Sequence, residues 1–106
     1  MSIWLLTINL YNKDRASMPS ADIVISNKLG LHARAAAKLT QLASKFNSEI
    51  FITRASQRVN AKSIMGVMML AAGKGITVHI EAEGADADQA LAQIEALFEN
   101  KFGEPE

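Results

Sequence analysis

The alternation of apolar and polar positions divides residues 21–100 into a succession of short elements. Ala21–Ser26 carries Ile23, Val24 and Ile25 in a weak alternation, which predicts a first strand. Asn27-Lys28-Leu29-Gly30 breaks it with turn-forming residues. From about Ala33 to Phe46, Leu39, Leu42, Ala43 and Phe46 recur at helical spacing and predict one buried stripe. Arg34, Lys38, Gln41 and Lys45 fall on the opposite face, and Lys45 suits the negative end of the dipole. Alanines 35 to 37 favour helix and keep its start slim. Ser48–Arg54 predicts a second strand, with Ile50 and Ile52 on one face and Phe51 and Thr53 on the other. Ala55-Ser56-Gln57 is a turn without glycine, and Arg58–Ala61 predicts a short third strand hairpinned to the second. Ser63 is suited to cap a short helix that is apolar nearly all round. Such a helix is either sandwiched or leaves part of itself exposed, and its methionines adapt to varied partner surfaces. Gly73-Lys74-Gly75 makes a turn. Ile76–Glu81 then alternates most cleanly, with Ile76, Val78 and Ile80 inward and Thr77, His79 and Glu81 outward. Gly84-Ala85 ends that strand, and Asp86 is placed to cap a last helix running to about Asn100. Ala90, Leu91, Ile94, Leu97 and Phe98 form its stripe. Gly103–Glu106 reads as a frayed end.

The order β-α-β-β-α-β-α predicts an α+β domain, one sheet face packed with helices and the other facing water. A chain of 106 residues holds one domain rather than two. Acidic and basic residues balance at 11 each, so nothing draws the chain toward nucleic acid or an anionic membrane. Cysteine is absent, which excludes disulfides, zinc-thiolate sites and thiol nucleophiles, and fits a reducing compartment. No apolar run approaches a membrane span, so no membrane insertion is expected. Residues 1–18 look unlike the rest. Ile3–Leu10 is apolar but short, no basic residue precedes it, and Lys13-Asp14-Arg15 follows without a clear small-residue cleavage site. These features predict an N-terminal extension, flexible or an upstream mis-start, rather than a signal peptide. The extension holds the only Trp and Tyr, Trp4 and Tyr11, and Met18 is a candidate start for a folded domain over 19–106.

Candidate chemistry concentrates at Gly30-Leu31-His32-Ala33-Arg34. First helical turns favour Asp or Glu, because unpaired N–H groups and the dipole make that end positive. Here the first turn has no acid and carries Arg34 instead. The pattern makes sense if an outside anion, such as phosphate, occupies the helix start. A neutral His32 ring is a nucleophile through its unprotonated nitrogen, and a phosphoryl group on it could be held by helix N–H groups and Arg34. Taken singly, His32 reads as a helix-start histidine and Arg34 as a solvated charge. Phosphoryl transfer asks mainly for placement and charge, so the pair could serve a carrier. It could not serve a kinase, since no P-loop or nucleotide fold is visible. Ser63 is first of all a helix cap. A phosphate there would sit at a helix N-terminus and set a large charge beside Ile64 and Met65. His79 reads as a solvent-face strand residue, and no carboxylate has a ligand-like spacing to His32 or His79. Neither a metal site nor a cofactor is predicted.

Gly30-Leu31-His32-Ala33-Arg34, then Lys62-Ser63-Ile64-Met65-Gly66-Val67-Met68, then Gly84-Ala85-Asp86 resemble the HPr family, the histidine-containing phosphocarriers of the phosphoenolpyruvate-dependent sugar phosphotransferase system. The resemblance covers about Ala21 to Glu104. It implies an open-faced sandwich, with a four-stranded antiparallel sheet covered on one face by three helices. It implies that His32 accepts a phosphoryl group on Nδ1 from phosphorylated enzyme I and passes it to IIA domains of sugar permeases. Arg34 would attend the phosphate. Ser63 would match the serine modified by HPr kinase/phosphorylase. Ala33, Ala37, Ile64, Met65 and Met68 would form the partner-docking surface, and the location would be cytoplasmic.

Two departures stand out. Ala35 replaces the family's usual proline, which removes no chemical group but bears on transfer rate. The N-terminal extension is the second. A regulatory relay of the nitrogen-related phosphotransferase branch is the rival within the family, because Asn27–Gly30 and Ala96-Leu97-Phe98 resemble that branch. The Lys62–Met68 stretch resembles the serine-controlled branch instead. A rival from another class is a non-catalytic α+β binding domain, for instance for RNA. Zero net charge and the lack of an aromatic cluster on a strand face argue against it.

Overall fold

The computed structural model describes residues 18–106. Trp4, Tyr11 and the rest of the predicted extension up to residue 17 lie outside the described residues. The elements are β1 (Ser20–Val24), α1 (Ala33–Ala43), β2 (Glu49–Arg54), β3 (Gln57–Asn60), α2 (Ile64–Met69), β4 (Thr77–Glu83) and α3 (Ala87–Glu99), followed by a 3₁₀ turn at Lys101–Gly103. Their order is the expected β-α-β-β-α-β-α.

The strands form one four-stranded sheet in the order β1-β4-β2-β3, and every neighbouring pair is antiparallel. Register follows from side-chain alternation, because a one-residue slip would send each apolar set to the wrong face. Ile23 pairs with Val78 and Ile52 with Ile80, which aligns the inward positions across three strands. Ile50, Ile52, Val78, Ile80 and Ala82 are buried against Ala35, Ala36 and Leu39 of α1 and Ala90, Ile94 and Phe98 of α3 in a single core. The opposite sheet face is open. There Arg58 donates to Glu81 at 3.3 Å and lies 3.7 Å over the Phe51 ring, and His79 Nδ1 meets Asp22 Oδ1 at 2.7 Å.

Several boundaries and side chains depart from expectation. The helix α1 stops at Ala43 rather than Phe46. Beyond Ser44 the chain tightens, with Lys45 N–H donating to the Leu42 carbonyl and Phe46 N–H to that of Ala43. The Asn47 and Ser48 amides there donate to the Asp86 side chain instead of to helix carbonyls. Lys45 therefore lies past the dipole's end, although Phe46 stays buried. Lys38 is not on a solvated face, because its Nζ donates to the Phe102 carbonyl. The β2–β3 turn manages without glycine by setting Ala55 at φ 54°. Arg54 does more than end a strand. Its Nη1 donates to the Leu70 and Ala71 carbonyls at 2.9 and 2.8 Å, which satisfies the C-terminus of α2.

The largest correction concerns the tail. Gly103–Glu106 does not fray. The Phe102 ring is 1% exposed and meets Phe98 edge-on, with centroids 4.9 Å apart. Lys101, Phe102 and Gly103 all adopt positive φ to deliver it. Each non-glycine residue in that region costs about 1–2 kcal/mol, and burying a phenyl ring returns about 1.5–3 kcal/mol. The turn carries the last residues back over the loop before α1, where Lys28 N–H donates to the Glu106 backbone oxygen at 2.6 Å.

Candidate functional site

The loop before α1 is built on a close approach. Gly30 has φ 65°, and a Cβ there would stand 2.5 Å from the Ala72 carbonyl oxygen and 2.6 Å from Gly73 Cα. Only glycine fits. The approach lets Leu31 N–H donate to that same Ala72 carbonyl at 2.9 Å, which ties the loop to the segment after α2. Asn27 is fully buried beneath the loop, and its Nδ2 donates to the Gly30 carbonyl at 2.8 Å.

His32 occupies the N-cap position of α1, with extended backbone at φ −71° and ψ 178°. Its carbonyl accepts from Ala36 N–H at 2.8 Å. Its side chain does not cap the helix, so the ring is free for other work. The first turn holds no acid, and its leading N–H groups have no intrahelical acceptor. The His32 ring turns to Glu104, with Nε2 2.6 Å from Oε2. The other oxygen of Glu104 accepts from Asn27 Nδ2 at 3.0 Å.

That carboxyl group is held below the usual glutamate range. The Asn27 hydrogen bond is the main cause, joined by the His32 hydrogen bond and charge and by the Lys38 charge, while partial burial pulls the other way. At neutral pH Glu104 is a carboxylate, which only accepts. Nε2 of His32 is therefore the donor. In the neutral ring the lone pair belongs to Nδ1. An open depression of about 630 Å³ lies over this group, lined by Lys28, Leu29, His32, Ala33, Arg34 and the tail from Glu104 to Glu106. Arg34 is exposed on its rim.

Ser63 holds the N-cap position of α2, and its Oγ accepts from Gly66 N–H at 3.0 Å. Only Val67 of α2 is buried. Ile64 and Met68 are about 40% exposed, Met65 72% and Met69 65%. The helix thus leaves a patch open rather than being sandwiched. Ala33 is exposed and Ala37 half-buried on α1, which packs against α2. His79 sits on the open sheet face, away from the helices, and takes no part in the site. Among the described residues no three His, Cys, Asp or Glu side chains gather into a metal-like set. Sequence reading had no place for Glu104, Asn27 or Met69 in this site. The signal for Glu104 was Phe102, an apolar residue beyond the end of α3 that needs a place in the core.

A family model described as the phosphorylation site of the phosphotransferase HPr component matches residues 19–100. The phosphocarrier protein HPr of Cupriavidus necator is 56% identical over 89 residues, covering 84% of this chain and all of that protein. The chain belongs to the HPr phosphocarrier family. A crystal structure of HPr-C-His from Thermoanaerobacter tengcongensis superposes with a TM-score of 0.81 at 47% identity, covering 84% of this chain and all of the other. The family's open-faced sandwich is thus the fold of this chain. The phosphocarrier protein NPr of Shewanella violacea is also similar, 49% identical over 82 residues that cover 77% of this chain and 90% of that one. HPr and NPr relatives therefore both lie close. The span matched by the HPr family model ends before Glu104.

Proposed function

We propose that this chain is a phosphocarrier of the sugar phosphotransferase system, with Nδ1 of His32 as its acceptor atom. Phosphorylated enzyme I would be the donor, and IIA domains of sugar permeases the recipients. The observation that carries the reading is the engagement of Nε2 by Glu104. It leaves the Nδ1 lone pair as the ring's nucleophile, at an open helix N-terminus with no acid in its first turn. The Nδ1 pair forms the new bond to phosphorus as the donor's bond breaks, and the donor atom keeps that electron pair. First-turn N–H groups and Arg34 supply positive charge for the phosphoryl oxygens. No protein-bound metal is required, because placement and charge carry the chemistry.

The exposed patch on α2, with Ala33 and Ala37 beside it, suits docking of successive protein partners, since methionines repack against different surfaces. A phosphate on Ser63, placed by HPr kinase/phosphorylase, would set two negative charges beside Ile64 and Met65. The setting for these partners is the cytoplasm, and no helix among the described residues is long and apolar enough to cross a membrane.

Intact mass after incubation with phosphoenolpyruvate and enzyme I tests the reading. The wild type gains one phosphoryl mass that is lost in acid, and His32→Ala gains none. Acid-labile mass on His32→Ala would remove the central assignment. Arg34→Ala slows acceptance about tenfold without abolishing it, because it removes charge support and leaves the nucleophile. The likeness to an NPr protein favours a second reading, a regulatory relay of the nitrogen-related branch. Incubation with HPr kinase/phosphorylase separates the two, since modification at Ser63 supports the sugar branch and none supports the relay.

A further inference from the structure

We infer that Glu104 is a positioning residue for His32: a tail carboxylate that sets the ring's tautomer and offsets the charge that builds on the ring during phosphoryl transfer. This rests on His32 being the phosphoryl acceptor.

The carboxylate is held from several sides. The Phe102 ring anchors the turn that presents it, and Lys38 Nζ fixes the Phe102 carbonyl. The bond from Lys28 N–H to the Glu106 backbone oxygen closes the far side. Asn27 holds one oxygen from within the core. Its amide orientation is determined, because both neighbours, the Gly30 carbonyl and Glu104 Oε1, are acceptors. Its Oδ1 is left buried with no partner, a cost the arrangement bears to aim Nδ2 at both acceptors.

The demand on residue 104 is chemically narrow. It must accept twice, from Asn27 Nδ2 and from His32 Nε2. A carboxylate meets that demand. A glutamine side chain has one accepting oxygen and one donating nitrogen. With its nitrogen toward His32, it would turn Nε2 into the acceptor and move the ring proton to Nδ1, blocking the nucleophile. With its nitrogen toward Asn27, it would set donor against donor.

The carboxylate also matters during transfer. As the Nδ1 pair forms the bond to phosphorus, and the donor's bond breaks with its pair, the proton stays on Nε2 and the ring gains positive charge. Glu104 lies on the nitrogen that carries that proton, 2.6 Å away. The arrangement parallels an aspartate behind a catalytic histidine, which fixes the tautomer and stabilises the cation without taking the proton.

The test uses the full chain, ¹⁵N-labelled at histidine, as wild type and as Glu104→Gln. Phe102 burial and the Glu106 backbone bond do not involve the replaced group, so the variant keeps its fold, which a matching far-ultraviolet circular dichroism spectrum and a single cooperative melting transition verify. In the wild type the His32 ring nitrogens report the Nε2–H form at neutral pH. In Glu104→Gln they report a mixture or the Nδ1–H form. Quenched-flow transfer from phosphorylated enzyme I shows a maximal rate about tenfold lower, the scale of a hydrogen bond to a charged group. The half-saturating donor concentration stays unchanged, because the docking patch is untouched. An unchanged tautomer, or an unchanged maximal rate, would overturn the inference. Phosphorylation of His32→Ala would instead overturn the acceptor assignment and leave the tautomer result standing.

Discussion

Asn27 has both amide hydrogens committed, one to Gly30 and one to Glu104, in a fully buried position. It joins the loop that presents His32 to the tail that holds it. Asn27→Asp keeps the shape and replaces the donor with a carboxylate facing a carbonyl oxygen and another carboxylate. We expect a loss of about 3 kcal/mol at neutral pH, the scale of a buried charge without a partner, seen as a lower urea midpoint. Stability should partly recover in acid, where the new carboxyl group protonates. A midpoint equal to wild type at neutral pH would mean that the loop does not depend on this bridge. Gly30 is a second such residue, limited by backbone rather than by bonds. Its positive φ and the nearby Ala72 carbonyl make Gly30→Ala cost more than about 2 kcal/mol. The sequence already marked Gly30 as turn-forming. It did not show what Gly30 approaches, because Ala72 is brought there only by the fold.

At the scale of elements, the helices and strands with clean periodicity were legible. β4 and α3 lie close to where their patterns put them, and the inward sets of β2 and β4 are the buried ones except Ile76, which precedes β4 and is half-buried. What escaped reading was set by distant partners. Asp86 takes the N-cap position of α3, but its side chain does not cap. It accepts from Asn47 N–H and Ser48 N–H, both at 2.9 Å, and from the Ser48 hydroxyl. It thereby fastens the segment after α1 to the start of α3. No local pattern announces a bond across that distance in the chain. These bonds, the Ser48 hydroxyl first and the Asn47 amide next, hold the Asp86 carboxyl below its ordinary range. A depressed folded-state pKa means stability that is present above the unfolded carboxylate range and is lost as pH falls through the folded value. Glu104 adds the same sign. We therefore expect wild-type urea midpoints to hold down to about pH 5 and to fall below about pH 4. Asp86→Asn should start lower at pH 7 and lose less on acidification. Parallel midpoint curves for the two proteins would show that Asp86 contributes nothing to the acid transition.

Across the whole molecule, the core and the working surface use the same short elements for opposite purposes. The helix α2 commits one residue, Val67, to the core and leaves Ile64, Met65, Met68 and Met69 outside. A helix that short is marginal alone, so it survives on its ends. Ser63 caps one end and Arg54 satisfies the carbonyls at the other. The patch is therefore held rigid by groups at its border, and Ser63 is both cap and border. Ser63→Asp keeps an oxygen to accept from Gly66 N–H, and aspartate is as good a cap as serine, so the fold should persist with an unchanged melting transition. The added charge lies beside Ile64 and Met65, where an apolar partner surface would have to desolvate it. Transfer from phosphorylated enzyme I should then need about tenfold more donor for half-saturation, while the maximal rate at His32 stays as in the wild type. This is the opposite split from Glu104→Gln, which lowers the rate and spares docking. A titration in which Ser63→Asp binds enzyme I as tightly as the wild type would detach the patch from the carrier's work. A fall in maximal rate without a change in docking would mean that Ser63 acts on the His32 ring rather than on the surface beside it.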